Sequence, residues 1–209
     1  EAGKNVVTSN KALVCTFYDE LLPLVEQSGV WIKTAGSAIL LQDTYRLSTC
    51  ENPMWLVVDD GSSDGSVALM KSIPDTRIRV LEYGEGGCAA LARNMGVEVA
   101  RGRYLAFLDA DDLWKPDKLE KELQFMEEKE AAFVFTGYEF ADENAIGTGK
   151  VVKVPLRLDY QKALKNTTIF TSTVMFDTKK VGLDNLLMPS IKSEDSALWF
   201  KLLRGGMVA

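Results

Sequence analysis

Two short apolar runs, each stopped by a cluster of aspartates, constrain the fold of this chain more than any other feature. Trp55-Leu56-Val57-Val58 runs into Asp59-Asp60-Gly61, and Tyr104-Leu105-Ala106-Phe107-Leu108 runs into Asp109-Ala110-Asp111-Asp112. Continuous apolar runs of this length, without polar alternation, suit strands covered on both faces. Helical patterns lie between and after them. Residues 64–73 follow a Ser-Ser-Asp cap signal, and residues 88–100 place Leu91, Met95 and Val99 on one face. Residues 118–130 carry Leu119, Leu123 and Met126 as an apolar stripe, with Pro116 near the start. A strand over 77–83 completes an order of strand, helix, strand, helix, strand. That order predicts an α/β fold with an open, twisted, mainly parallel sheet flanked by helices. Further strands are expected over 131–140, 150–159 and 167–177, the last two in a smaller mixed portion. A final helix spans 195–203 and ends at Gly205-Gly206. In the first fifty residues the pattern suggests a strand over 13–18 and a helix over 32–45.

The position of the acids points to a site. In an open parallel sheet the ligand crevice lies outside the carboxyl ends of the strands. Asp59-Asp60 and Asp109-Asp111-Asp112 should therefore face one edge. Two carboxylates at ~4 Å repel by about 1 kcal/mol in water and by about 4 at an effective dielectric of roughly 20. Such a cluster is stable when a cation joins it or when some members are protonated. Asp-x-Asp at a strand end suits a hard divalent ion that also takes diphosphate oxygens. The competing reading is that these aspartates close turns and cap helices.

Composition narrows the chemistry. The chain of 209 residues contains no histidine, so a metal must be held mainly by oxygen, which favours Mg²⁺, Mn²⁺ or Ca²⁺. Its three cysteines, Cys15, Cys50 and Cys88, suggest neither a disulfide framework nor a zinc site. The net charge of -6 offers no basic face to nucleic acid. No apolar run reaches the ~18 residues of a membrane span, and residues 1–10 lack the apolar core of a secretory signal. A cytoplasmic protein, with peripheral contact at the inner face of the cell membrane, is the expectation.

Three further segments invite chemistry. Gly61-Ser62-Ser63-Asp64-Gly65 is a tight turn feeding a helix N-terminus, where backbone N–H groups can meet a nucleotide. Gly84-Glu85-Gly86-Gly87 precedes Ala92-Arg93-Asn94, but its spacing is not that of a dinucleotide fingerprint. Arg93 suits a phosphate or a carboxylate, or an ordinary structural ion pair. Ser193-Glu194-Asp195 opens the last helix; acids there follow from helix electrostatics alone, although a displacement reaction needs a base that is not a metal ligand, and Asp195 is a candidate.

Together these residues resemble family 2 glycosyltransferases of the GT-A, Rossmann-like fold. The resemblance is carried by Val57-Val58-Asp59-Asp60-Gly61-Ser62-Ser63-Asp64-Gly65 and Ala92-Arg93-Asn94-x-Gly96. It continues through Asp109-Ala-Asp111-Asp112-x-Trp114-x-Pro116-x-Lys118-Leu119 to Glu194-Asp195-x-x-Leu198-Trp199. The match runs over roughly residues 39–204 and is specific as a combination. It implies inverting transfer of a sugar from a nucleotide-sugar donor, with UDP the expected carrier, to a glycan or lipid-linked saccharide acceptor. The product would belong to cell-surface or polysaccharide biosynthesis. It implies that Asp60 contacts the nucleotide, that Asp109, Asp111 and Asp112 form the metal and diphosphate motif around Mn²⁺ or Mg²⁺, with Asp111 the direct ligand, and that Glu194-Asp195 supplies the general base, by position Asp195. Arg93 joins the donor-binding set.

The usual first-strand turn of the family has its nearest match in Thr16-Phe17-Tyr18-Asp19-Glu20, which carries over Tyr18 and Asp19 as nucleotide contacts. No Gln-x-x-Arg-Trp motif follows Glu194-Asp195, which argues against a processive synthase. The chain is read as one domain over 1–209, with a nucleotide-sugar half to about residue 112 and an acceptor-side half beyond it. It stops soon after Gly206, as expected of a C-terminally truncated catalytic domain. The rival readings are a module that binds a nucleotide sugar without turnover, a sugar nucleotidyltransferase and an Asp-x-Asp phosphatase. The second lacks its basic glycine-rich loop here, and Leu113-Trp114 follows the acids where the third would need a small turn.

Overall fold

The computed structural model describes residues 53–63, 65–75, 78–82, 89–110, 112–142, 145–165 and 169–209 (53 and 54 by backbone alone), and the backbone of strands β1 (Val6–Val7), β2 (Ile32–Lys33) and β3 (Ser37–Leu41). The strand expected over 13–18 lies outside the described residues. The remaining strands are β4 (Pro53–Asp59), β5 (Ile78–Glu82), β6 (Tyr104–Leu108), β7 (Phe133–Phe135), β8 (Tyr138–Ala141), β9 (Gly147–Val152) and β10 (Val174–Asp177). The described helices are α1 (Ser66–Ser72), α2 (Ala89–Glu98), α3 (Lys118–Lys129), α4 (Tyr160–Ala163), α5 (Thr178–Val181) and α6 (Glu194–Arg204).

Six strands form the main sheet in the order β5-β4-β3-β6-β10-β7. Strands β4 and β5 pair in parallel, as the helix between them requires. The other four pairings are antiparallel. Following these pairings, β4, β5, β6 and β7 run one way and β3 and β10 the other. The α/β fold is therefore mixed in its pairing, because β3 and β10 intervene between strands that share a direction.

Strand β6 explains why its sequence shows no alternation. All five residues are buried. Leu105 and Phe107 pack into one core with Phe133, Phe176, Leu198 and Trp199. Tyr104, Ala106 and Leu108 pack into another with Leu123, Met126, Val134 and Met175. Helices α2 and α6 cover the first face, and α3 covers the second. Burial of each large side chain contributes roughly 1.5–3 kcal/mol.

The structure corrects several expectations. Residues 37–41, within the expected helix over 32–45, form a strand paired to β4 on one side and β6 on the other. The four-residue apolar run Ala38-Ile39-Leu40-Leu41 is compatible with helix or strand by periodicity, and two waiting neighbours decide it. The expected strand over 131–140 breaks at 136–137 into β7 and β8. The strand expected over 150–159 is Gly147–Val152, which pairs with β8 as a separate hairpin. The strand over 167–177 is shortened to β10 by a 3₁₀ turn at Thr171–Thr173. Helix α2 buries Ala90, Ala92, Arg93, Gly96 and Val97 rather than Leu91, Met95 and Val99. Small side chains let its backbone approach the sheet, and the one long residue on that face is an arginine with carboxylate partners.

Candidate functional site

The register of β3 fixes where the two acidic strand ends lie. Ser37 pairs with Val57 on one side and with Leu108 on the other. Val57 and Leu108 are thus level across the sheet, and β4 and β6 leave it at the same edge. Two strand spacings separate them, about 10 Å. Asp60 follows β4, and Asp109 and Asp112 follow β6, on that common edge.

Arg93 gathers the second half of the site. The residue is 8% exposed. Its Nη2 lies 2.6 Å from Asp109 Oδ1, and its Nη1 lies 2.8 Å from Glu194 Oε1. Burial works to lower its pKa, but the charges and hydrogen bonds of Asp109 and Glu194 outweigh that and hold it above its ordinary value. The guanidinium fork suits this task, since two carboxylates from different elements each take one nitrogen. Asn94, the next residue, holds Met188 by two bonds: its Nδ2 donates to the Met188 carbonyl at 2.8 Å, and its Oδ1 accepts from the Met188 N–H at 2.7 Å. The segment leading into α6 is thereby tied to α2.

Asp112 and Asp195 join through the turn Thr171–Thr173. The Asp109 N–H donates to Ser172 Oγ at 2.9 Å, and Ser172 Oγ donates to Asp112 Oδ2 at 2.5 Å. Trp114 Nε1 donates to the Ser172 carbonyl at 2.6 Å. Thr171 Oγ1 donates to Asp195 Oδ2 at 3.2 Å, and Asp195 Oδ1 accepts from the Ser196 N–H at 2.6 Å. The Asp112 N–H closes a turn on the Asp109 carbonyl at 3.1 Å. Sequence reasoning singled out neither Thr171 nor Ser172. The available signal was a polar Thr-Ser-Thr triplet directly ahead of the apolar run Val174-Met175-Phe176.

The structure thus joins Arg93, Asp109 and Glu194 directly, and Asp112 and Asp195 through two hydroxyls. Asp60 stands on the same edge at the end of β4. Tyr18, Asp19, Asp111, Asp64 and the glycine-rich stretch 84–87 lie outside the described residues. Turn chemistry accounts for Asp59, which is buried and accepts from the Ser62 N–H at 2.9 Å. Helix α1 begins after Gly65 without a side-chain cap bond, and Ser193 does not cap α6 either.

The donor set bears on a cation as follows. Among the described residues no group of three or more potential ligands converges. Asp109 gives an oxygen to Arg93, which suits it to orient a ligand rather than to hold a metal alone. Asp112 brackets position 111 from the other side, and carboxylate oxygens are the donors Mg²⁺ and Mn²⁺ prefer.

Comparison with known proteins identifies the family. The profile described as Glycosyl transferase family 2 matches residues 34–183. TuaG of Bacillus subtilis (strain 168), named as a teichuronic acid biosynthesis glycosyltransferase, is 44% identical over 163 residues, 76% of this chain and 64% of its own length. WfaP of Escherichia coli, named UDP-Glc:alpha-D-GlcNAc-diphosphoundecaprenol beta-1,3-glucosyltransferase, is 35% identical over 161 residues, 77% of this chain and 62% of its own. The chain thus spans less than two thirds of the length of these relatives. The crystal structure of S. aureus TarS 1-349 in complex with UDP-GlcNAc matches with a TM-score of 0.55 at 18% identity, over 71% of this chain and 43% of that one, a likeness of fold.

Proposed function

Because this chain belongs to glycosyl transferase family 2, we propose that it moves a sugar from a UDP-sugar to a hydroxyl of a glycan or lipid-linked saccharide, one residue at a time and with inversion, in the biosynthesis of a cell-surface polysaccharide. The names of TuaG and WfaP support the pathway class and the lipid-linked acceptor. No helix of the described residues is long and apolar enough to cross a membrane. The lipid-linked acceptor in the name of WfaP supports peripheral action at the inner face of the cell membrane.

One observation carries the reading. Arg93 bridges the acid that ends β6 and the first acid of α6, so that two motifs far apart in the chain meet at one sheet edge. In this reading Asp60 binds the nucleoside and Asp109 orients the donor. Asp111 and Asp112 hold Mn²⁺ or Mg²⁺. The bound cation would neutralise charge on the leaving diphosphate. Glu194 is committed to Arg93 and acts as a positioning residue. Asp195 takes the proton of the acceptor hydroxyl, whose oxygen attacks the anomeric carbon as the bond to the diphosphate oxygen breaks. Thr171 orients that carboxylate.

The test is release of UDP from a panel of UDP-sugars with Mn²⁺, with and without saccharide acceptors. UDP release that rises with an acceptor supports transfer. Pyrophosphate formed from UTP and a sugar 1-phosphate, with no UDP released from the UDP-sugars, would replace this reading with nucleotidyl transfer, and binding without turnover on any acceptor would replace it with a binding module.

A further inference from the structure

We propose that the exposed aromatic face formed by Tyr138, Phe140 and Phe170 is the acceptor subsite, and that it takes a phosphate-bearing pyranoside with Lys150 at the phosphate. The assignment rests on the sugar-transfer reading above and specifies where the second substrate sits and what chemistry it carries.

Tyr138 and Phe140 are two residues apart on β8, and across the register shift between Glu139 and Ala141 their rings still meet. Their ring centroids are 5.7 Å apart, and Tyr138 lies 5.2 Å from Phe170. Phe140 is 42% exposed and Phe170 45%. Three clustered rings held this far in water form a platform that gains by being covered. Pyranose rings present flat C–H faces that stack on such platforms, and their hydroxyls remain free for polar partners.

Two further observations choose this ligand. The first is continuity with the site. Phe170 immediately precedes the turn that organises the acids, and its carbonyl accepts from the Thr173 N–H at 2.9 Å. The next residue, Thr171, holds Asp195. Phe170 is therefore one residue from the side chain that orients the proposed base. The second is charge. Lys150 Nζ sits 4.2 Å from the centroid of the Phe140 ring. Residues 138–165 contain five Lys or Arg against four Asp or Glu, in a chain whose net charge is -6. The segment lacks the acidic excess of the whole chain, and its lysine against the ring sets an anion next to the stacked sugar.

The experiment titrates the chain with α-N-acetylglucosamine 1-phosphate by saturation-transfer NMR, and in parallel with UDP and Mn²⁺. Phe140→Ala should weaken sugar-phosphate binding roughly tenfold, as expected for loss of one stacking ring, and Phe140→Tyr should restore it. Lys150→Gln should remove the preference for the sugar phosphate over methyl α-N-acetylglucosaminide. UDP affinity should be the same in all variants. Wild-type sugar-phosphate affinity in Phe140→Ala overturns the subsite, as does a wild-type chain that binds UDP but no sugar phosphate. It is equally overturned if the variants lose binding to phosphatidylglycerol vesicles while sugar-phosphate binding stays intact, since the face would then meet a membrane. A wild-type chain that binds no UDP overturns the sugar-transfer reading itself, and the acceptor role of this face with it.

Discussion

Arg93 and Glu194 stand 101 positions apart in the chain and meet at 2.8 Å, with the second guanidinium nitrogen of Arg93 on Asp109 at 2.6 Å. One buried cation therefore sets the distance between the end of β6 and the start of α6. A lysine at this position has a single charged nitrogen and cannot serve two carboxylates in fixed directions. Arg93→Lys is expected to cut turnover by ~10²-fold and to lower stability by about 3 kcal/mol, in the range for breaking a buried pair. Denaturant melts and UDP release check the two effects separately. A lysine variant with wild-type turnover would dissociate this bridge from the activity.

Ser172 is the second joint. Its hydroxyl accepts from the Asp109 N–H and donates to Asp112. Ser172→Ala removes both bonds and leaves a backbone donor without its partner, which costs about 1–3 kcal/mol. Because Asp112 flanks the proposed cation site, the alanine variant should require more Mn²⁺ for half-maximal UDP binding. Isothermal titration across a Mn²⁺ series measures this. An unchanged Mn²⁺ requirement alongside lowered stability would make Ser172 structural only.

Much of this was legible in the chain, for identifiable reasons. Strand β6 was readable because five consecutive apolar residues have no use outside a doubly covered position. The acids at 59–60 and 109–112 were readable because they follow such strands directly. The start of α6 was readable from its acids and the periodic Leu198, Trp199, Leu202 and Leu203 behind them. The strand at 37–41 was not, since its apolar run fits a helix equally well until its neighbours are known. Nor was the face of α2: a helical wheel ranks Leu91 and Met95 above Arg93 for burial, and only carboxylates from remote segments reverse that order. Thr171 and Ser172 escaped because hydroxyl residues before a strand resemble any turn, and their partners arrive from 24 and 60 residues away.

Asp195 and its neighbour Thr171 separate the chemical step from binding. Asp195→Asn keeps the shape and the bond from Thr171 but removes the basic oxygen. Turnover should fall by ~10²-fold or more while UDP affinity stays near wild type. Thr171→Val removes only the orienting hydroxyl, so a smaller loss in kcat is expected, with little change in donor KM. Single-turnover measurement with a saturating UDP-sugar distinguishes them. Equal losses in kcat from the two variants would move the critical role from the carboxylate to its orientation.

The buried pair of α3 gives the fold a pH signature of unusual sign. Lys118 Nζ and Glu122 Oε2 lie 2.6 Å apart with both side chains almost fully buried, and Lys118 Nζ is 4.4 Å from the centroid of the Trp114 ring. Burial, opposed by the partner's charge, pushes the Glu122 carboxyl up to about 7 from its ordinary 4.5 and the Lys118 ammonium down. A carboxyl raised on folding holds its proton in the folded chain after the unfolded chain has lost it. Its contribution to stability therefore falls as pH rises from about 4.5 to about 7 and is level above that, the reverse of a depressed aspartate. Replacing the pair with apolar residues of similar volume, Lys118→Met with Glu122→Leu, should keep the chain folded and flatten this slope, so that the variant gains on wild type between pH 5 and pH 8. Glu122→Gln alone leaves the lysine without its charge partner and is expected to cost about 3 kcal/mol at any pH where the lysine is charged. Thermal melts of the three proteins at pH 5, 6, 7 and 8 make the comparison. If the double variant retains the wild-type slope over that range, the pH dependence belongs to other groups.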